Sequence, residues 1–131
     1  MTTYSHGSSA RPPRPLSAGL VVVDVAEVLT TLRGETAFRS DGRDSETVVA
    51  EGSARVIVSV VDPGREVGGE TSDGYVSIYL VEGSGRIVRD GVETALSAGA
   101  LAVLAPGAAW KLRADSETSF VASFWRPAST P

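Results

Sequence analysis

The chain has 131 residues, of which 42% are hydrophobic and 21% are charged, and these values fit one globular domain. Its formal net charge is −4 and its basic residues are scattered along the sequence, so we expect no nucleic-acid-binding surface. The chain has no cysteine, which excludes disulfides and zinc–thiolate sites.

Residues 1–18 are predicted to form a flexible tail, because they are rich in Ser and Pro and poor in apolar side chains. This start lacks the charged-then-apolar pattern of a signal peptide, and no run of about 18 apolar residues occurs anywhere. We therefore expect a cytoplasmic protein that has no membrane contact. Residues 19–131 are predicted to form one domain, which opens with a short apolar strand at Leu20–Val23.

One short helix is predicted to follow that strand. Asp24 can accept a hydrogen bond from the backbone amide three residues on, and Glu27 stands where the acid of a capping box would lie. Apolar side chains then recur at helical spacing up to Leu32, and Gly34 is a typical C-terminal stop.

The rest of the sequence alternates between short apolar runs and clusters of turn residues. Asp90-Gly91 is the strongest hairpin signal among these turns, and Gly68–Gly74 is predicted to be a polar loop. About eight short strands at spacings of roughly 8 to 12 residues indicate an all-β barrel or sandwich. The predicted strands are Thr47–Ala50, Arg55–Val61, Tyr75–Val81, Arg86–Arg89, Val92–Leu96, Ala100–Ala105, Trp110–Arg113 and Thr118–Trp125.

The turn residues of the second half resemble a known family. Pro63-Gly64, Gly83 and Pro106-Gly107 resemble, in order and spacing, the two consensus motifs of the cupin superfamily. The glycine position of the second motif falls on Ala100, with Gly99 beside it. The resemblance covers about residues 20–125 and is best between about 60 and 115. It implies an all-β, cupin-type double-stranded β-helix, which is a jelly-roll barrel, with one short N-terminal helix. It also implies a homodimer, since cupins often pair through sheet faces and N-terminal strands.

The metal-ligand positions of the cupin motifs carry unsuitable residues in this chain. A transition metal in this fold needs imidazole and carboxylate ligands, whereas valine offers no donor and a protonated lysine repels a cation. The only histidine, His6, lies in the predicted tail. We therefore expect no metal and no other cofactor. Counted from Gly64 and Pro106, the four ligand positions fall on Glu70, Ser72, Val76 and Lys111.

Lys111, the single lysine of the chain, and Glu70 form the candidate catalytic pair. The resemblance implies that both lie inside the barrel, because their positions converge on the metal ion in metal-bearing relatives. Such a pair can transfer a proton or bind an anionic or carbonyl group. Alternatively, the two side chains form a structural ion pair, or the lysine reaches solvent at the barrel mouth.

The walls of the expected cavity follow from strand alternation. The resemblance implies that Val76 points inward, and Ile78 and Leu80 then share its face because side chains alternate along a strand. Lys111 and Arg113 share a face of their own strand. A cavity that is apolar on one side and charged on the other suits a largely apolar organic ligand with one acidic or carbonyl group. The alternative is plain core filling by the apolar wall, and for Trp110 a place in the core or an interface. The candidate substrate-binding residues are Ser72, Val76, Ile78, Leu80, Trp110, Arg113 and Asp115.

Three functions are compatible with the sequence. The first is a metal-independent isomerase, lyase or cyclase that acts on a small, largely apolar molecule in natural-product biosynthesis. The second is a non-catalytic binding or sensing domain, in which Lys111 anchors an anion. The third is a dimeric structural protein, and a barrel packed with Val76, Ile78, Leu80 and Leu104 would favour this reading.

Overall fold

The structure is a computed structural model that describes residues 11–16, 19–69, 73–107 and 109–126. Within these ranges, two short helices, α1 (Val25–Gly34) and α2 (Thr36–Asp41), precede nine strands. The strands are β1 (Arg43–Glu51), β2 (Ala54–Val61), β3 (Glu66–Gly69), β4 (Tyr75–Glu82), β5 (Ser84–Arg89), β6 (Val92–Ser97), β7 (Leu101–Leu104), β8 (Trp110–Ala114) and β9 (Thr118–Trp125).

The strands form two sheets that face each other across one core. Sheet A has the order β1-β2-β9-β4-β7, and sheet B has the order β3-β8-β5-β6. Each pairing within the two sheets is antiparallel. This arrangement is a jelly-roll barrel, so the predicted all-β fold class is confirmed.

The inward side chains of both sheets pack into one apolar core. Phe120, Ile78 and Leu112 have no exposed surface, and burying such a side chain contributes about 1.5–3 kcal/mol. Side chains therefore fill the barrel between the described strands. The core consists of Ile57, Val61, Val67, Val76, Ile78, Leu80, Ile87, Leu104, Trp110, Leu112, Ala114, Phe120, Ala122 and Phe124.

A second apolar cluster lies on the outer side of sheet A, where the helices pack against β1 and β2. Leu29 and Leu32 of α1 and Phe38 of α2 are buried there. The predicted strand at Leu20–Val23 is instead a segment without regular secondary structure that lies outside both sheets. Its alternate residues Val21 and Val23 pack against this cluster.

The helix α1 begins and ends at the predicted residues. The Asp24 carboxylate accepts a hydrogen bond from the backbone N–H of Glu27 at 3.1 Å. The helix α2 is absent from the sequence prediction, because six residues with Phe38 as the one buried side chain carry no readable period. Gly42 ends α2 in the left-handed conformation, with φ 74°. Neither described helix has the length and apolar run that crossing a membrane requires.

Part of the predicted tail is bonded to sheet A. The backbone N–H of Arg14 donates to Val48 O, and the N–H of Ala50 donates to Arg14 O, both at 3.1 Å. Arg14 thus forms a parallel bridge with Val49 of the edge strand β1. Residues 11–16 therefore cover part of this edge, while residues 1–10 and 17–18 of the predicted tail lie outside the described residues.

The predicted hairpin between β5 and β6 is confirmed. Asp90 and Gly91 have φ angles of 51° and 77°, which are the positive values that a type I′ turn requires. The strand β3, by contrast, overlaps the start of the predicted polar loop and pairs with β8. Its sequence has one apolar side chain, Val67, and three polar or glycine positions, so no alternation marks it as a strand.

Candidate functional site

Lys111 and Arg113 lie on the outer face of sheet B, so their predicted placement inside the barrel is wrong. The strand β8 buries Trp110, Leu112 and Ala114 and exposes the two basic residues between them. Side chains alternate along a strand, and burial of the apolar set requires that the basic set face solvent. The motif position counted from Pro106 therefore falls one residue away from an inward-facing position of β8.

The predicted partner residues Glu70 and Ser72 lie outside the described residues. The two remaining ligand positions do not fit a metal ion, because Val76 has no donor atom and Lys111 faces away from the barrel. Within the described ranges, no cluster of three or more His, Cys, Asp or Glu side chains could hold a metal.

Val76, Ile78 and Leu80 face inward together, as alternation predicted, but they belong to the packed core. Trp110 is also a core residue, with 3% of its surface exposed. Asp115 lies outside, where its carboxylate accepts a hydrogen bond from Arg86 at 2.9 Å. Of the residues predicted to line a cavity, the apolar ones thus fill the core, and Lys111, Arg113 and Asp115 lie on the outer surface.

A groove of about 530 Å³ lies between β6 and β7, which are edge strands of sheets B and A. The two strands are not paired with each other, so the sheets part along this side. We call this feature the β6–β7 groove. It is lined by Ile87, Arg89, Asp90, Val92, Thr94, Leu96, Leu101, Ala102, Val103 and Leu104.

The β6–β7 groove opens directly onto the barrel core. Ile87 and Leu104 belong to the core, and the partly buried Leu96 and Ala102 pack against it. At the rim, Val92, Leu101 and Val103 are 64%, 63% and 61% exposed. Removing apolar surface from water is favourable by about 25 cal/mol per Å², so a ligand that covers these side chains would be stabilised.

Arg89 is the cation of this groove. It ends β5, opposite Val92 on β6 and Trp110 on β8, and it lies on the inward side of sheet B with Ile87. Its Nε atom is buried and has no hydrogen-bond partner among the described residues. The nearest carboxylate, Asp90 Oδ2, lies 4.0 Å from Nε, which is too far for a hydrogen bond.

The perturbed acids lie elsewhere, on the helix side of sheet A. A side-chain hydrogen bond with Asp44, then burial, raises the pKa of Glu35 above its usual value. A side-chain hydrogen bond from Arg33, then one from Ser119, lowers the pKa of Glu82. These groups connect the N-terminal segment and α1 to the barrel, and they do not line the groove.

None of the residues that line the groove was predicted as a site residue. Only the apolar character of the walls was expected. Arg89, Thr94 and Leu96 belong to the predicted hairpin of β5 and β6. The hairpin sequence predicts where the chain turns, but it does not predict which strand lies at the edge of a sheet. The edge position depends on the pairing of distant segments, which a local pattern does not contain.

No protein-family model matches the sequence, and no curated protein matches it either. Solved structures do match. A conserved protein of unknown function from Streptococcus pyogenes superposes with a TM-score of 0.68 at 19% identity, over 98% of both chains.

Two further matches come from longer chains. A cupin 2 conserved barrel domain protein from Leptotrichia buccalis has a TM-score of 0.61 at 13% identity, over 63% of this chain and 39% of that one. Salicylate 1,2-dioxygenase from Pseudoaminobacter salicylatoxidans has a TM-score of 0.67 at 17% identity, over 76% of this chain and 31% of that one. This chain thus spans less than half the length of either protein.

The class of protein is therefore a small cupin-type barrel. The resemblance that the turn residues indicated is confirmed, and the chain has the fold of the cupin superfamily. At these identities the likeness establishes the fold and not an activity.

Proposed function

We propose that this protein binds a small, largely apolar organic molecule in the β6–β7 groove without a metal ion. The observation that carries the proposal is that core-facing apolar side chains meet solvent in a concave site. A volume of about 530 Å³ lies within the range of about 300–1,000 Å³ that is typical of ligand pockets.

Binding without turnover is the version that the side chains support best. The isomerase, lyase or cyclase reading depended on Lys111 inside the barrel, and Lys111 lies on the outer face. The ionisable residues that line the groove are Arg89 and Asp90. Arginine remains protonated at physiological pH, so it is a poor general acid or base but a good binding group.

The packed core favours a structural role over a ligand site in the barrel centre. Val76, Ile78, Leu80 and Leu104 are all buried, and a barrel packed with these side chains favours the structural reading. The β6–β7 groove lies beside this core, so a filled barrel and a binding site at its open side are compatible.

Two neighbouring residues of β6 provide a matched test. Thr94 lines the groove, whereas Ala95 faces outward beside Arg86, and both are exposed. An uncharged naphthalene probe, 2-naphthamide, is titrated into protein with 13C-labelled methyl groups. We expect saturable shifts at Leu96 and Leu104 in the native protein and in Ala95→Trp.

In Thr94→Trp, the indole should occupy the groove and weaken binding at least tenfold. Thermal melts confirm that both variants are folded. Equal affinity in the two tryptophan variants, shifts confined to methyl groups away from the groove, or an absence of saturable binding would each contradict the proposal.

A further inference from the structure

We propose that the ligand of the β6–β7 groove is a carboxylate, and that the Arg89 guanidinium holds its anionic group. This inference rests on the proposed function, since it requires that the groove binds a ligand. It assigns the chemical class of that ligand and the residue that selects it.

The position of Arg89 suits this role. Its side chain stands at one end of the groove, on the face that carries Ile87, while the other end is apolar. Its cross-strand neighbours, Val92 and Trp110, carry no charge. The Arg89 side chain is 35% exposed and has one carboxylate nearby, that of the exposed Asp90 at 4.0 Å. Its charge is therefore only partly compensated, and it can still attract an anion in the groove.

The hydrogen-bonding state of Arg89 differs from that of other arginines in the barrel. Arg33 donates to two carboxylates, at 2.6 and 2.8 Å, and Arg86 donates to two others, at 3.0 and 2.9 Å. Arg89 has only the carboxylate of Asp90 at 4.0 Å. The Nε atoms of Arg86 and Arg89 are both buried without a partner among the described residues, but only in Arg86 do the terminal nitrogens donate to carboxylates. A buried donor that lacks an acceptor is unfavourable, so an acceptor brought by a ligand would stabilise it.

The donor geometry selects the class of ligand. Arginine has only donors, arranged in a planar fork that matches the two oxygens of a carboxylate. The rest of the lining is largely apolar, so the ligand needs an apolar body attached to the carboxylate. This part of the lining includes Leu96, Leu101, Ala102, Val103 and Leu104. Asp90 next to the guanidinium disfavours a second negative charge, which points to a monocarboxylate.

The test compares two probes with the same rings, 2-naphthoate and the uncharged 2-naphthamide, by methyl NMR titration. We expect the native protein to bind the carboxylate at least tenfold more tightly than the amide. Arg89→Gln should abolish that preference while retaining amide binding. Arg113→Gln removes the same charge from the outer face of sheet B, and it should keep the preference.

Two further variants keep the test decisive if Arg89→Gln does not fold. Arg89→Lys keeps the charge but loses the fork, so the preference should shrink about threefold or more. Asp90→Asn removes the nearby negative charge, and Asn tolerates the positive φ of 51° at this position. This variant should bind 2-naphthoate about twofold to fivefold more tightly and change the binding of the uncharged amide less, so the preference for the acid should increase.

Equal binding of acid and amide by the native protein, or an unchanged preference in Arg89→Gln, would overturn the carboxylate assignment. Provided that both probes still shift the groove methyl groups, that outcome leaves the proposed function intact. Failure of both probes to bind the groove would overturn the two proposals together.

Discussion

Glu35 lies beside two other acids where the helices meet β1. Asp44 is buried, and Glu46 accepts hydrogen bonds from Arg11, with its Oε1 2.6 Å from Nη2. Arg11 reaches Glu35 less closely, at 3.7 Å. Glu35 Oε1 is buried and lacks a hydrogen-bond partner among the described residues. A side-chain hydrogen bond with Asp44, followed by burial, favours the protonated form of Glu35 and so raises its pKa.

The raised pKa of Glu35 predicts the direction in which stability changes with pH. The folded state favours protonated Glu35, so its contribution is fully present below the unfolded value near 4.5 and is lost as pH rises through the folded pKa. Glu35→Gln donates to Asp44 without needing a proton. It should therefore raise the free energy of unfolding at pH 7 by roughly 1 kcal/mol, and by less at pH 4.

Glu46→Gln is the matched control, since it weakens the close pair with Arg11 and should lower stability at pH 7. Urea unfolding at the two pH values measures both effects. A loss of stability in Glu35→Gln at pH 7 would contradict the raised pKa, because it would mean that the ionised form of Glu35 stabilises the fold.

Two glycines with the same backbone angle differ in the space around them. Gly83 and Gly99 have φ angles of 90° and 92°. A methyl group on Gly83 would meet the carbonyl oxygen of Glu117 and lie 2.8 Å from Thr118 Cα, whereas nothing lies within 4 Å at Gly99.

Gly99→Ala should therefore cost only the left-handed backbone strain, about 1 kcal/mol, and Gly83→Ala about 3 kcal/mol or more. Chemical denaturation of both variants tests the difference. Equal losses would mean that the β4–β5 turn moves freely away from the β8–β9 turn.

At the scale of elements, Arg33 connects α1 to the barrel. Its guanidinium donates to Glu82 at the end of β4 and to Glu117 in the β8–β9 turn. The lowered pKa of Glu82 means that its stabilising contribution is present above the unfolded value near 4.5 and is lost as pH falls through the folded pKa. These side chains are one-third exposed or more, so solvent screening keeps the contribution small.

Arg33→Gln should lower the free energy of unfolding by roughly 0.5–1 kcal/mol at pH 7 and flatten its decline between pH 5 and 3. Melting curves over that pH range measure the slope. An unchanged slope would indicate that Glu82 is not stabilised by Arg33 in solution.

The elements that local patterns specify were predictable from sequence. The cap at Asp24, the turn at Asp90-Gly91 and the strand Thr118–Trp125 are each encoded by adjacent residues, and the structure has them at the predicted positions. The strand β3 and the helix α2 were not predictable, because pairing with β8 and burial of Phe38 define them rather than their own sequence.

The site was less predictable than the fold. The inward direction of Val76 came from its ligand position in the first cupin motif, and alternation extended it to Ile78 and Leu80. The direction of Lys111 depended on a motif count that crosses the loop after Pro106. A shift of one residue there reverses every side chain of β8. The edge strands that form the groove follow from sheet order, which no local pattern contains.

At the scale of the whole molecule, the homodimer implied by the resemblance stays a prediction. Sedimentation equilibrium at micromolar concentration should give about twice the chain mass of 13.6 kDa. A mass of one chain across that concentration range would contradict it.

The central claim about the molecule is that its barrel is filled and that its ligand binds at the open side between β6 and β7. A crystal structure with 2-naphthoate tests this most directly. The rings should lie against Leu96 and Ala102, with the carboxylate within hydrogen-bonding distance of Arg89. Ligand density between Val76 and Trp110, in a barrel whose core has parted, would contradict it.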